Sequence, residues 1–247
     1  MPEVVSSWIH TFDVGRIESI QDGIISNYEK DFIKYASVSE FPKINQIWNA
    51  IPAQLAKENQ KFIFAHVKQG LRARDLEDSL QWLISAGLIY KIEKVERPFI
   101  PVTACSDGTY FKIYLSDAGL LRRMSRFPAE VMLDTSAHTA DIRGILAENF
   151  VLTELIATGV QKPYFWKSGG RAEVDYIIAE GMDVVPIEVK SSKRTRSRSL
   201  AEYRKKYSPR IAVRTSLGNV AWHFDEYGQL LEIPLYCIWK LPSYIKG

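Results

Sequence analysis

Cysteine is nearly absent from this sequence. Cys105 and Cys237 are its only thiols, far apart and without a neighbouring Cys or His. That pattern excludes a disulfide framework and a zinc site, and it points to a reducing, cytoplasmic setting. The four histidines, His10, His66, His138 and His223, are scattered singly, so no imidazole-rich ligand set is written into the chain. Long hydrophobic runs are missing as well. No window approaches the ~20 apolar residues of a membrane span, and "MPEVVSSWIH" lacks the basic and apolar regions of a secretory leader, so no membrane partner is expected. No G-x-x-x-x-G-K-[ST] occurs, hence no phosphate-cradling loop and no ATP site. A formal charge of +3 names no partner by itself, so the distribution of charge must carry that argument.

What is present suits a soluble globular chain. Its 247 residues are 46% hydrophobic and 25% charged, an ordinary balance for one large domain or two modest ones. Three regions separate by pattern. Over residues 1–40, Ile17, Ile20, Ile24, Tyr28, Phe32 and Tyr35 recur at steps of three and four, an amphipathic helix whose stripe needs a partner. Over 41–127, "NQIWNAIPAQLAKEN" reads as a helix interrupted at Pro52. "RARDLEDSLQWLISAGL" reads as a longer helix stopped at Gly87. "LIYKIEKV" and "YFKIYLS" read as strands, and "DAGLLRRM" as a last short helix. Helices followed by a hairpin suggest a winged helix-turn-helix. Residues 128–141 are polar and open the third region, 128–247. There a strong helix, "IRGILAENFVLTELIATG", precedes three strands, "YFWK", "AEVDYIIAE" and "DVVPIEVK". A helix, "SRSLAEYRKKY", and a strand, "RIAVRT", follow, then the apolar "QLLEIPLYCIW". The fold class expected is α/β and α+β, the last region being a mixed α/β unit.

Charge inside that unit is the informative feature. Side chains alternate across a strand, so Glu188 and Lys190 share one face of "VVPIEVK" while Ile187 and Val189 share the other. If the preceding strand forms a hairpin around Glu180-Gly181, Asp175 lies across the ladder from Glu188. On the helix, Glu148 falls in line with Gly144, Val151, Leu152 and Leu155, whereas Glu154 falls with Arg143 on an outer face. A carboxylate among apolar neighbours requires a partner. Hard oxygen ligands from Glu148, Asp175 and Glu188 suit Mg²⁺ or Mn²⁺. A lysine beside the metal orients or deprotonates a water, and such a metal stabilises a leaving oxygen. Carboxylates, lysine and metal together form a constellation for phosphodiester hydrolysis.

These residues carry a resemblance. "EVDYII…VVPIEVKSS", after a helix bearing Glu148, resembles the PD-(D/E)XK nucleases of the restriction-endonuclease-like fold. Asp175 matches the motif aspartate, Glu188 its acidic residue and Lys190 its lysine, while Val174 replaces the motif proline. The resemblance implies Asp175, Glu188 and Lys190 as catalytic residues, with Glu148, Asp175 and Glu188 as metal ligands. "YEKDFIKYA", "IPAQLAKENQKFIF", "FKIYLSDAGLL" and "GILAENFVLTEL" extend the likeness over the whole chain. They are similar to the C-terminal two-thirds of a prokaryotic family in which an AAA-type ATPase domain precedes a winged helix and a nuclease-like domain. The chain is therefore expected to be a fragment or short member of that family. Residues 1–40 would be the remnant of the ATPase lid, and an ATPase domain would be a partner in cis or in trans.

A basic segment follows the strand "DVVPIEVK". Lys190, Lys193, Arg194, Arg196, Arg198, Arg204, Lys205 and Lys206 stand against the single acid Glu202 over 190–206. Of these, Lys193, Arg194, Arg196 and Arg198 are candidates to hold a nucleic-acid backbone, DNA being the expected partner; a solvated face is the bland alternative. The helix of the winged region offers no clear positive face, because Asp75, Glu77 and Asp78 follow Arg72 and Arg74. Two functions are expected from these observations. One is a Mg- or Mn-dependent DNA nuclease-like protein. The other is a catalytically inactive nucleic-acid-binding or protein-interaction module of the same ATPase family.

Overall fold

The computed structural model describes residues 1–57, 60–132, 136–160, 162–193 and 197–246. They form two compact units. One comprises Met1–Lys91 with Lys112–Asp134, the other Ile92–Phe111 with Thr135–Gly247.

The first unit is mostly helical: α1 (Pro2–Thr11), α2 (Val14–Tyr35), α3 (Phe41–Leu55), α4 (Ala73–Ser85) and α5 (Ala118–Met124). Asp13 starts α2 by accepting the Arg16 amide at 3.1 Å, a side-chain cap for an orphan donor. The stripe of α2, expected to need a partner, finds one inside the chain. Phe32 is fully buried and meets Trp48 of α3 and Trp82 of α4 edge-on, with centroids 5.7 and 5.6 Å apart. The polar side of α2 is used too. Arg122 of α5 donates to Glu18 Oε1 and Gln21 Oε1, both at 2.9 Å, and Arg123 grips both oxygens of Asp22 at 2.6 Å. Contrary to expectation, α3 runs through Pro52. The proline lies in the final turn, where its missing N–H forfeits a single backbone bond. Gly87 ends α4 as expected. Its φ of 69° allows the Leu88 amide to reach back to the Leu83 carbonyl at 3.2 Å, which satisfies an end-of-helix acceptor.

The second unit is built on a mixed sheet of eight strands in the order β2-β1-β3-β4-β5-β6-β8-β7. These are β1 (Ile89–Val95), β2 (Ser106–Leu115), β3 (Tyr164–Lys167), β4 (Glu173–Glu180), β5 (Asp183–Val189), β6 (Ile211–Ser216), β7 (Ala221–Asp225) and β8 (Gly228–Pro234). Residues 92–95 of β1 and 106–111 of β2 belong to this unit. The meander β3–β4–β5 is antiparallel, whereas β5 pairs with β6, and β6 with β8, in parallel. Helices α6 (Ala140–Ala157) and α7 (Arg198–Tyr207) both contact β5, and α8 (Leu241–Ile245) ends the chain. The architecture is thus mixed α/β, as the sequence pattern suggested. Tyr164 and Trp166 are buried core residues, packed with Val174, Ala212 and Leu230 and with Leu200 and Tyr203 of α7. Strand β7 was not legible in advance. It is a short edge strand whose Trp222 and Phe224 are exposed, so it lacks the apolar run of its neighbours.

Candidate functional site

The site grows out of the β4–β5 hairpin. Glu180 pairs with Asp183 at the turn, and the ladder runs in register to Tyr176 opposite Ile187. Gly181 supplies the positive φ of 59° that the turn requires. One further step along this register brings Asp175 opposite Glu188, the juxtaposition expected from the alternation. Here the ladder gives way to a side chain: Asp175 Oδ2 accepts the Val189 amide at 2.7 Å. The hairpin therefore ends by aiming a carboxylate at its own backbone.

Glu188 is the most deeply placed of the acids, at 4% exposure. Its Oε1 accepts from Lys190 Nζ at 2.6 Å and from Ser197 Oγ at 2.8 Å. Its Oε2 is buried and has no hydrogen-bond partner among the described residues. Burying a carboxylate oxygen without a donor costs free energy, so this atom is a vacancy in the polar accounting of the fold. Lys190 is half-buried immediately after β5. Burial pulls its ammonium pKa down, but the adjacent Glu188 charge and hydrogen bond outweigh this. The charges of Asp175 and Glu148 add to them, and the group is held above the ordinary lysine value. Glu148, Asp175, Glu188 and Lys190 consequently share one electrostatic environment. Among the described residues, no three carboxylate, imidazole or thiolate groups sit close enough together to hold a metal ion by themselves.

Two details differ from the pattern-based reading. Glu148 on α6 is half-buried rather than facing the core, while its main-chain carbonyl accepts from Tyr176 Oη at 3.0 Å. Arg143, expected on an outer face, is buried and donates to the Ser136 carbonyl at 3.2 Å. Of the expected backbone-binding cations, Lys193 and Arg198 are exposed; Arg194 and Arg196 lie outside the described residues.

Ser197 and Arg214 were missed. Ser197 caps α7 by accepting the Leu200 amide at 3.1 Å, while its own proton goes to Glu188. The serine before a helix was a readable cap signal; its second bond was not. Arg214 sits beside Glu188 in the parallel register of β5 and β6, and beside Glu232 in that of β6 and β8. Its Nη1 lies 3.2 Å from Glu232 Oε1. Burial lowers its pKa, against the opposing fields of Glu232 and Glu188. Only the strand order reveals that neighbour.

Residues 1–131 match the family profile described as "Domain of unknown function (DUF8612)". Residues 143–236 match that of "Domain of unknown function (DUF4143)", a domain often found in the C-terminal region of AAA-type ATPases. No curated protein and no solved structure gives a match. No helix of the described residues is long and apolar enough to cross a membrane.

Proposed function

We propose that this chain, which belongs to the DUF8612 family, is a Mg²⁺- or Mn²⁺-dependent phosphodiesterase acting on nucleic acid, with DNA as its substrate. The observation that carries this reading is Glu188: a buried carboxylate with one oxygen held by Lys190 and Ser197 and the other without a donor. The hard oxygen donors of Glu188 and Asp175 fit such a cation. Mg²⁺ characteristically takes one or two carboxylates and completes its shell with waters and phosphate oxygens, so the lack of a third close protein ligand does not conflict with the fit. Asp175 and Glu188 would hold the ion and Glu148 would assist. Once bound, the ion supplies charge stabilisation at phosphate and an acidified water.

The remaining chemistry is argued from the chain's own residues. Lys190, kept cationic by three surrounding carboxylates, acts as an electrostatic guide for the scissile phosphate and the attacking water rather than as a base. Ser197 fixes the Glu188 carboxylate from the first turn of α7. Lys193 and Arg198 offer positive charge to the substrate backbone. A helix, a three-stranded antiparallel meander, a second helix and a parallel strand support the restriction-endonuclease-like reading of 128–247. The helices and the β1–β2 pair support the winged-helix reading of 41–127. An ATPase domain as partner, and residues 1–40 as part of its lid, rest on the family resemblance.

Mn²⁺ titration of the wild type and of Asp175→Ala, followed by calorimetry, tests the site. Saturable uptake at or below about millimolar metal that disappears in the variant is the expected result. The second reading, an inactive binding module, draws on the Glu188–Lys190 ion pair, which is closed at 2.6 Å. It prevails if neither protein takes up metal.

A further inference from the structure

A second feature of the same unit lies away from the carboxylates, between the end of β1 and the start of β2. Here a groove of about 420 Å³ is lined by Glu96, Arg97, Phe99, Cys105, Ser106 and Asp107. Phe99 is 56% exposed, an unusual position for a ring with a buried aromatic cluster beside it. It is nevertheless held. The ring meets Tyr207 of α7 edge-on at 6.0 Å, and its amide donates to the Arg97 carbonyl at 2.9 Å. Tyr207 is fixed in turn: its hydroxyl accepts from Trp166 Nε1 and donates to the Glu96 carbonyl, both at 3.3 Å. The exposed ring is therefore backed by rigid partners.

Charge around the groove leans positive, with Lys94, Arg97 and Lys206 against Glu96 and Asp107. Glu96 is engaged by Lys94 Nζ at 3.0 Å. Asp107 Oδ1 accepts from the Thr109 amide and hydroxyl at 3.0 and 2.6 Å. Arg97 is exposed and makes no ion pair among the described residues. Lys206 lies 5.1 Å over the Tyr207 ring and likewise makes no ion pair among them. A supported aromatic face flanked by cations free of ion pairs is how proteins hold an unpaired base and its phosphate without reading sequence. A duplex cannot use such a ring, because its bases are already stacked.

We infer that the groove beside Phe99 is a subsite for one unpaired nucleotide, with the base on the Phe99 ring and the phosphate near Arg97. The inference rests on the proposed action on nucleic acid and narrows it to substrates carrying a single-stranded portion. Apolar peptides are disfavoured, since they would leave Arg97 and Lys206 without acceptors.

The test uses the full chain in EDTA, so that metal plays no part, with labelled single-stranded DNA, single-stranded RNA and duplex DNA followed by anisotropy. Single strands are expected to bind more tightly than duplex. Phe99→Ala should weaken single-strand binding about tenfold without changing duplex affinity, and Phe99→Trp should restore it. Arg97→Gln should lower the salt slope of single-strand binding by about 0.7, one phosphate contact. Unchanged single-strand affinity in Phe99→Ala, or equal loss for single strand and duplex, overturns the subsite. Metal uptake failing while Phe99-dependent binding persists would sink the phosphodiesterase reading and leave the subsite standing.

Discussion

Each unit of this protein contains a partly or wholly buried glutamate facing cations, and the two are satisfied differently. In the first unit, Glu18 places Oε1 2.9 Å from Arg122 and Oε2 3.2 Å from Arg123. Arg122 then closes its fork on Gln21 and on the Phe127 carbonyl. In the second unit, one oxygen of Glu188 accepts from two donors and the other from none among the described residues. Buried ion pairs contribute little net stability, but leaving one partner exposed to an apolar surrounding is costly. A network that serves only to pin α5 to α2 has every reason to close. A carboxylate kept half-open at the end of a hairpin, with Asp175 opposite and Lys190 beside it, has been left room for something else. The difference sets a closed, structural ion pair apart from one that, on the proposed function, takes part in chemistry.

Lys190→Ala probes the open site most severely. If Lys190 guides phosphate and water, its loss should lower the rate of nucleic-acid cleavage about a hundredfold, the scale on which one preorganised charge acts. Affinity for single-stranded DNA, measured in EDTA, should stay unchanged. Cleavage at the wild-type rate in the variant would reduce Lys190 to a structural partner of Glu188 and erase the contrast with Arg122.

A gentler comparison makes one substitution at both glutamates. Glu18→Gln removes charge from an oxygen pair that is fully answered, so unfolding by urea should show a loss of about 1 kcal/mol. Glu188→Gln removes charge from a carboxylate that carries an unanswered buried oxygen. The amide retains an acceptor for Lys190 and Ser197 while relieving the desolvated charge. Stability should hold or rise by up to about 1 kcal/mol, and Mn²⁺ uptake should vanish. Two losses of equal size would mean that Glu188 is as structural as Glu18.

Much of the second unit was legible because strands carry a strict period of two. Alternation placed Glu188 and Lys190 on one face, and the Glu180-Gly181 turn fixed the register that faces Asp175 with Glu188. What alternation cannot supply is the order of strands joined by crossovers. Arg214 is adjacent to Glu188 only because β6 lies parallel to β5, and Ser197 reaches Glu188 only because α7 starts beside that strand. Phe99 was illegible for another reason: a ring between prolines in a connecting segment has no period, and its exposure depends on where Tyr207 packs. In the first unit the helical stripe was visible while its partners were not, since Trp48 and Trp82 come from helices with stripes of their own.

The smallest effect concerns a feature the two units share. Asp22 is held by Arg123 and Asp225 by Arg204 through paired hydrogen bonds. In each case the arginine's hydrogen bond is the chief reason the carboxyl pKa lies below its ordinary value; the Tyr227 amide helps at Asp225. A depressed folded-state pKa contributes stability that is fully present above the unfolded value of about 3.9 and is lost as pH falls through the lower, folded one. Both units should therefore weaken with acid below about pH 4, modestly, because both carboxylates are substantially exposed. Amide hydrogen exchange followed through that range resolves the units separately. Asp22→Asn should flatten the acid limb of the first unit only, and Asp225→Asn that of the second. If Asp225→Asn left the acid response of the second unit intact, another carboxylate would set it. The half-open carboxylate of Glu188, rather than the closed pair at Arg204, would then be the place to look.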